Sequence, residues 1–141
     1  MDNIYATLID FFGKGILFVG KSGSGKSDTA LRMIMDKGAK LVADDRVDIY
    51  EKDGKIYGKA PNNILNKIEI RNIGIAILDD TTECIDIALC VELVANRGDL
   101  ERMPKEKYIE FFGVKIPQIS LYPFDVSTTN KIIQKICGKI I

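Results

Sequence analysis

Apolar residues in this chain fall into short unbroken runs, into strict alternation, and twice into helical spacing, with turn-forming residues between most segments. Tyr5 to Phe11 and Gly15 to Val19 are runs of strand length joined by Phe12-Gly13-Lys14, a hairpin-like start. The spacing then becomes helical. Ala30, Leu31, Ile34 and Met35 form one stripe, which predicts a helix from Ser27 to Lys37 stopped by Gly38. Lys40-Leu41-Val42-Ala43, ending in Asp44-Asp45, predicts the next strand. Strand, loop, helix and strand make a βαβ unit, whose ligand site lies beyond the carboxyl ends of its strands.

The remainder reads as β structure until the last element. Asp53-Gly54 predicts a hairpin between Val47–Tyr50 and Ile56–Gly58. Lys67-Ile68-Glu69-Ile70-Arg71 alternates, so one face is buried and the other carries Lys67, Glu69 and Arg71. Ile73 to Leu78 and Ile85 to Val94 predict two more strands, the second central because it is apolar on both faces. Arg97 to Lys107 is charged and reads as a loop with at most a helical turn. Pro117 divides Val114–Ile116 from Gln118–Leu121 into two short pieces. A final helix is expected from Thr128, capped by Ser127, with Ile132, Ile133, Ile136, Cys137 and Ile140 along one side. No internal repeat, low-complexity tract or linker stands out.

The junction between the second run and the first helix carries the chemistry. Gly20-Lys21-Ser22-Gly23-Ser24-Gly25-Lys26-Ser27 matches the phosphate-loop pattern G-x-x-x-x-G-K-[ST] at each fixed position, with a strand before it and a helix after it. Glycines let successive backbone N–H groups converge on phosphate oxygens, and the helix N-terminus faces the same anion. In this reading Lys26 reaches the β- and γ-phosphates of ATP, and the Ser27 hydroxyl ligates the Mg²⁺ that bridges them. The expected fold class is therefore α/β, a P-loop nucleotide-binding domain with a mixed, β-rich central sheet and flanking helices.

Composition narrows the rest. A chain of 141 residues suits one domain, expected to span 1–141. Twenty basic and twenty acidic side chains cancel, which argues against nucleic acid or an anionic membrane as partner. The N-terminus lacks the features of a signal peptide and no apolar run approaches a membrane span, so a cytoplasmic protein is expected. Cys84, Cys90 and Cys137 contain no C-x-x-C pair and there is no histidine, which makes a zinc site a poor fit. Cys84 and Cys90 read as small core residues. Without histidine, acid–base chemistry falls to carboxylates, lysine or tyrosine.

Asp44 and Asp45 stand at the end of a strand, where both can approach the loop. One could support Mg²⁺ and the other accept a proton from an attacking hydroxyl; a turn with a capping or surface aspartate would look the same. Asp28 lies in the first helical turn, where the helix dipole alone favours an acid. Glu69 and Arg71 could extend the site, or simply be the exposed face of a strand. Arg97 and Arg102, in the charged loop, suit the stabilisation of phosphoryl charge.

Taken together, Gly15 to Arg32, Gly38 to Val47, Ala60-Pro61 and Ile68 to Ile75 resemble the catalytic domain of the HPr kinase/phosphorylase family. The ending Ile116 to Ser127 is similar to the short, single-domain members of α-proteobacteria. The resemblance implies ATP-dependent phosphorylation of a serine in the phosphocarrier protein HPr. In many members it also implies removal of that phosphate by inorganic phosphate, giving pyrophosphate. It implies a hexamer, and a chain that begins where the catalytic domain begins, without the N-terminal domain of longer members. Residue by residue, Gly20 to Ser27 match the nucleotide loop, Asp28 an acidic position near the metal and Asp44 the first carboxylate of the pair. Asp45 matches the base in the kinase direction and acid in the reverse. Glu69 and Arg71 match the signature strand, and Arg102 matches a loop arginine near the transferred phosphoryl.

Two positions depart from the pattern. Tyr5 replaces a histidine placed at the active site, from which weak or absent phosphorylase activity is expected. Asn72 stands where the signature has glycine. Two other readings compete: a nucleotide- or phosphate-sensing regulator that has lost catalysis, and a small-molecule kinase. The carboxylate pair argues against the first, and the absence of an arginine-rich lid against the second.

Overall fold

The unbroken apolar runs near the N-terminus become strands buried on both faces. In the computed structural model, which describes residues 1–141, the chain forms β1 (Asp2–Tyr5), β2 (Thr7–Phe11), β3 (Lys14–Val19), α1 (Lys26–Lys37) and β4 (Lys40–Ala43). There follow β5 (Arg46–Lys52), β6 (Lys55–Lys59), β7 (Lys67–Ile70), β8 (Gly74–Ile77) and β9 (Cys84–Leu93). β10 (Lys107–Phe111), β11 (Val114–Leu121) and α2 (Thr128–Cys137) complete it. Nine strands share one curled mixed sheet in the order β1-β5-β6-β9-β3-β2-β4, with β11 also on β9 and β10 on β11. β7 and β8 form a separate two-stranded hairpin. Neither helix is long and apolar enough to cross a membrane.

Alternation along the strands splits the interior in two. Leu8 and Leu17 face a core shared with Val47, Ile49, Ile56, Ile85 and Ile87. Their neighbours Ile9, Ile16 and Phe18 face the opposite side, against Ala30, Met33, Leu89, Val91 and Ile132 under the two helices. Each fully buried side chain of this size stabilises the fold by about 1.5–3 kcal/mol. β9 is the central strand, as its two-faced apolarity predicts. It runs parallel to β3 and β11 and antiparallel to β6.

Several expectations change. Tyr5 to Phe11 is two strands, because the Ala6 N–H donates to the Asp45 carbonyl (3.2 Å) and the chain passes from β5 to β3 and β4 as partners. The βαβ unit is not simple. The tight turn at Phe12 and Gly13 (φ 50° and 88°) folds β2 back beside β3, so the returning β4 pairs with the far edge of β2, antiparallel to it. Phe112-Gly113 (φ 51° and 79°) repeats that turn and creates β10, absent from the sequence reading. Ile9-Asp10-Phe11-Phe12-Gly13 and Ile109-Glu110-Phe111-Phe112-Gly113 are thus a short local repetition. Pro117 does not interrupt β11, since it pairs only with Tyr108 of β10 and the β9 ladder begins at Gln118.

Corrections also fall on side chains. In α1 Met33 is buried and Met35 is 70% exposed, because the inward face runs through Lys26, Thr29, Ala30 and Met33. Cys84 is exposed at the start of β9, and only Cys90 is a core thiol. Ser127 precedes α2 without a side-chain capping bond, and Cys137 and Ile140 are exposed at the helix's far end. Gly38 ends α1 in the left-handed conformation (φ 81°), as expected.

Candidate active site

Segments far apart in sequence meet in a cleft of about 370 Å³. Its floor is Ser22, Gly23, Gly25, Lys26, Ser27, Asp28 and Leu31; Tyr5 and Asp45 form one flank, Glu69 to Asn72 another, and Phe124 a third. β3 delivers the chain into the Gly20–Ser27 loop, and α1 begins at Lys26. Gly25 has φ 98°, and a Cβ there would lie 2.9 Å from Cβ of Pro123 and 3.3 Å from the Phe124 ring. Only glycine fits both the backbone and the space.

Lys26 is buried, and its ammonium donates to the carbonyls of Gly20 (2.9 Å) and Lys21 (3.0 Å), across the mouth of the loop. Burial pushes its pKa below the ordinary value, with Asp45 and then Asp44 pulling it back up. The Ser24 hydroxyl is buried in the same loop with no partner. An anion in the cleft would meet the Lys26 ammonium, whereas the Ser24 hydroxyl lies beneath the loop beside Gly20, outside the cleft lining.

The two aspartates differ completely. Asp44 is buried and fully engaged: Oδ1 accepts from the Ser27 hydroxyl (2.6 Å) and the Thr7 hydroxyl (3.0 Å), and Oδ2 accepts from the Glu69 N–H (3.1 Å). One carboxylate therefore ties β2, α1 and β7 together. Asp45, one residue on, is exposed, sits at φ 71°, and turns a carboxylate without a hydrogen-bond partner into the cleft. Its left-handed backbone is held by the Ala6 bond to its carbonyl and by the Arg46 N–H to the Asp44 carbonyl (2.8 Å).

Asp28 lines the cleft and faces Arg32 at 3.3 Å in an exposed setting, where an ion pair contributes little. Glu69 and Arg71 both line it. Asn72 takes φ 73°, a conformation asparagine tolerates better than most residues, so it serves in the place where the family signature has glycine. Tyr5 is exposed at the rim with the Arg46 guanidinium 3.6 Å from its ring centroid. Arg102 is not among the lining residues and lies exposed on its loop. Arg97 is spent elsewhere, paired with Asp125 (2.6 Å) and stacked on Tyr122. Cys90 cannot act as a nucleophile at neutral pH, since burial pushes its thiol up to about 12.

Sequence reasoning missed three residues here. Thr7 is fully buried, and the only signal was one hydroxyl within an apolar strand. Arg46 was hidden by its distance in sequence from Tyr5. Phe124, 57% exposed, looked like an ordinary loop aromatic.

The architecture is that of a mixed α/β domain with one large curled sheet and two helices, its cleft opening where a glycine-rich turn enters the first helix. The chain belongs to the HPr Serine kinase C-terminal domain family, whose model matches residues 1–139. It is 37% identical over 130 residues to the HPr kinase/phosphorylase of Lactobacillus johnsonii, covering 84% of this chain and 40% of that protein. To the HPr kinase/phosphorylase of Streptococcus thermophilus it is 36% identical over 130 residues, covering 84% and 41%. The chain thus spans about 40% of the length of these curated relatives. The solved Hpr(Ser) kinase/phosphatase from Coxiella burnetii has the same fold, with a TM-score of 0.80 at 22% identity over 96% of this chain and 87% of that one.

Proposed function

We propose that this domain transfers the γ-phosphoryl group of ATP to a serine of the phosphocarrier protein HPr. The observation that carries the reading is the meeting of Lys26, Ser27, Asp44 and Asp45 at one cleft in a chain of this family. The residues fit a bound triphosphate: the glycine-rich turn brings Gly23 and Gly25 to the cleft without side chains, and Lys26 is held by carbonyls that phosphate oxygens can replace. Gly20 to Ser27 would act as the nucleotide loop, with Lys26 on the β- and γ-phosphates.

Mg²⁺, when bound, neutralises charge on the phosphates. Ser27 and Asp44 would hold it, with Asp28 nearby. No three His, Cys, Asp or Glu side chains cluster for a metal, so phosphate oxygens would complete the ligand set. Asp45 is the free carboxylate at the rim, suited to take the proton as the serine oxygen bonds to the γ-phosphorus and the bond to the β-phosphate oxygen breaks. Glu69 and Arg71 would contact the acceptor. Arg102 would steady the phosphoryl charge only after its loop folds over the cleft.

The reverse reaction, release of pyrophosphate from phosphoserine-HPr and phosphate, needs a cation where Tyr5 stands. A phenol supplies none, but the Arg46 guanidinium over its ring does. Reduced rather than absent phosphorylase activity is the reading that follows. Acting on HPr, the protein would work in the cytoplasm. Ile73, Ile75 and Ile77, each more than two-thirds exposed on the β7–β8 hairpin, favour a homo-oligomer, a hexamer by resemblance; light scattering showing a monomer at micromolar concentration would remove that part.

The deciding experiment is transfer from labelled ATP to purified HPr, with intact mass locating one phosphoserine. Lys26→Ala should abolish transfer and weaken Mg-ATP binding. HPr left unmodified by a parent protein that binds Mg-ATP would overturn the acceptor assignment.

A further inference from the structure

The loop after β11 is unusually well tied for a segment that leaves an aromatic ring in water. Arg97 donates to Asp125 through Nε (2.7 Å) and lies over the Tyr122 ring (4.6 Å to its centroid). Arg32 donates to the Pro123 carbonyl, and the Thr128 hydroxyl to the Tyr122 carbonyl (2.7 Å). Tyr122 then packs edge-on against Phe124 (centroids 5.7 Å, planes at 82°). Held from below in this way, the Phe124 ring remains 57% exposed, lines the cleft, and sits over Gly25 of the loop.

An exposed ring costs solvation free energy unless a ligand covers it, and here its position is fixed rather than left to fluctuate. Leu31 and Ile70 are the aliphatic side chains of the same lining, Leu31 one turn along α1 from Ser27 and Asp28. Asp45, Tyr5 and the β7 residues belong to other segments of the lining. The phosphate-binding groups are all polar or backbone, so they carry no preference for one triphosphate over another.

Resting on the phosphate-loop reading above, we infer that Phe124 is the stacking platform for the nucleobase of the donor. The ring thereby adds recognition of the base to a phosphate site that by itself takes the polyphosphate chain alone. Stacking is tolerant of base identity, because every base has a π-face, so ATP and GTP should both use the platform.

Calorimetry on the parent, Phe124→Ala and Phe124→Trp tests it with Mg-ATP, Mg-GTP and Mg-tripolyphosphate. Removing the ring should weaken both nucleotides by about tenfold and leave tripolyphosphate unchanged. Phe124→Trp should restore nucleotide affinity and, in a chain that has no other tryptophan, report it by fluorescence quenching with ATP and not with tripolyphosphate. Unchanged ATP affinity in Phe124→Ala, or an equal loss for tripolyphosphate, overturns the platform. So does unchanged ATP affinity joined to a raised KM for HPr, which would make the ring an acceptor contact. If the parent binds none of the three ligands, the phosphate-loop reading itself has failed and the platform falls with it.

Discussion

On one side of the cleft the polar groups are buried and spoken for: Lys26 on two carbonyls, and the Ser27 and Thr7 hydroxyls on one oxygen of Asp44. Across from it the β7–β8 hairpin belongs to no larger sheet and turns Ile73, Ile75 and Ile77 to water, with Ile68 as its one fully buried side chain. A two-stranded hairpin has little stability alone. The first side is suited to hold a small charged group in fixed geometry, and the second to meet something broad. Besides the packing of α1 against β7 and the burial of Ile68, one polar bond connects them, for the Glu69 N–H donates to the same carboxylate that holds Ser27. Asp44 is thus the joint between a rigid half and a compliant one.

The largest effect should come from the residue that faces both halves and is bonded to neither. Asp45→Asn is expected to lower HPr phosphorylation by about 10²–10⁴-fold, since the amide keeps the shape but cannot take the serine proton. Mg-ATP affinity should hold. Single-turnover rates within a few-fold of the parent would remove Asp45 as base.

Asp44→Asn cuts the joint. With its oxygen kept on the Glu69 N–H, the amide must turn its nitrogen to the Ser27 and Thr7 hydroxyls, which then lose the charged acceptor they shared, so stability should fall by about 1–3 kcal/mol. Hydrogen exchange should quicken in the β7–β8 amides more than in β3 and β9, and the metal requirement should change. Uniform protection loss across the sheet would mean that the hairpin is not separately hinged.

Thr7→Val is gentler, because volume is kept and one donor of three is lost. We expect about 1 kcal/mol in thermal unfolding, with a higher Mg²⁺ concentration needed for half-maximal transfer. An unchanged metal titration would reduce Thr7 to a packing residue.

Tyr5→His should have the smallest effect. Arg46 already places a cation over that position, so pyrophosphate release from phosphoserine-HPr should rise only a few-fold between pH 6 and 8, with forward transfer unchanged. Equal reverse rates in both proteins would show that the residue at position 5 does not limit the reverse reaction.

What could be read in advance was local. The glycine-rich turn, the helix behind it, its stop at Gly38, the Asp53-Gly54 hairpin and the two-faced strand β9 each depend on a few neighbouring residues whose steric and hydrophobic preferences agree. Candidate chemistry was legible to the same extent, since Lys26, Ser27, Asp44 and Asp45 sit beside those signals in the chain. β10 went unread because its only mark was a second Phe-Gly turn inside a charged region, and Met35 was placed inward because a stripe of four apolar residues leaves the angle of the helix on the sheet undetermined.

Taken alone, the sequence determined most of the elements and the glycine-rich turn, because those follow from short-range sterics and from apolar periodicity, and its motifs carried the family resemblance. Tertiary structure alone decided that β2 lies between β3 and β4, that Asp44 is buried while Asp45 is free, that Arg46 covers Tyr5, and that Phe124 stands over Gly25. Each of these joins segments whose separation in the chain says nothing of their distance in space. Only the closing of the sheet, through strand pairings distributed along its length, brings them within bonding range.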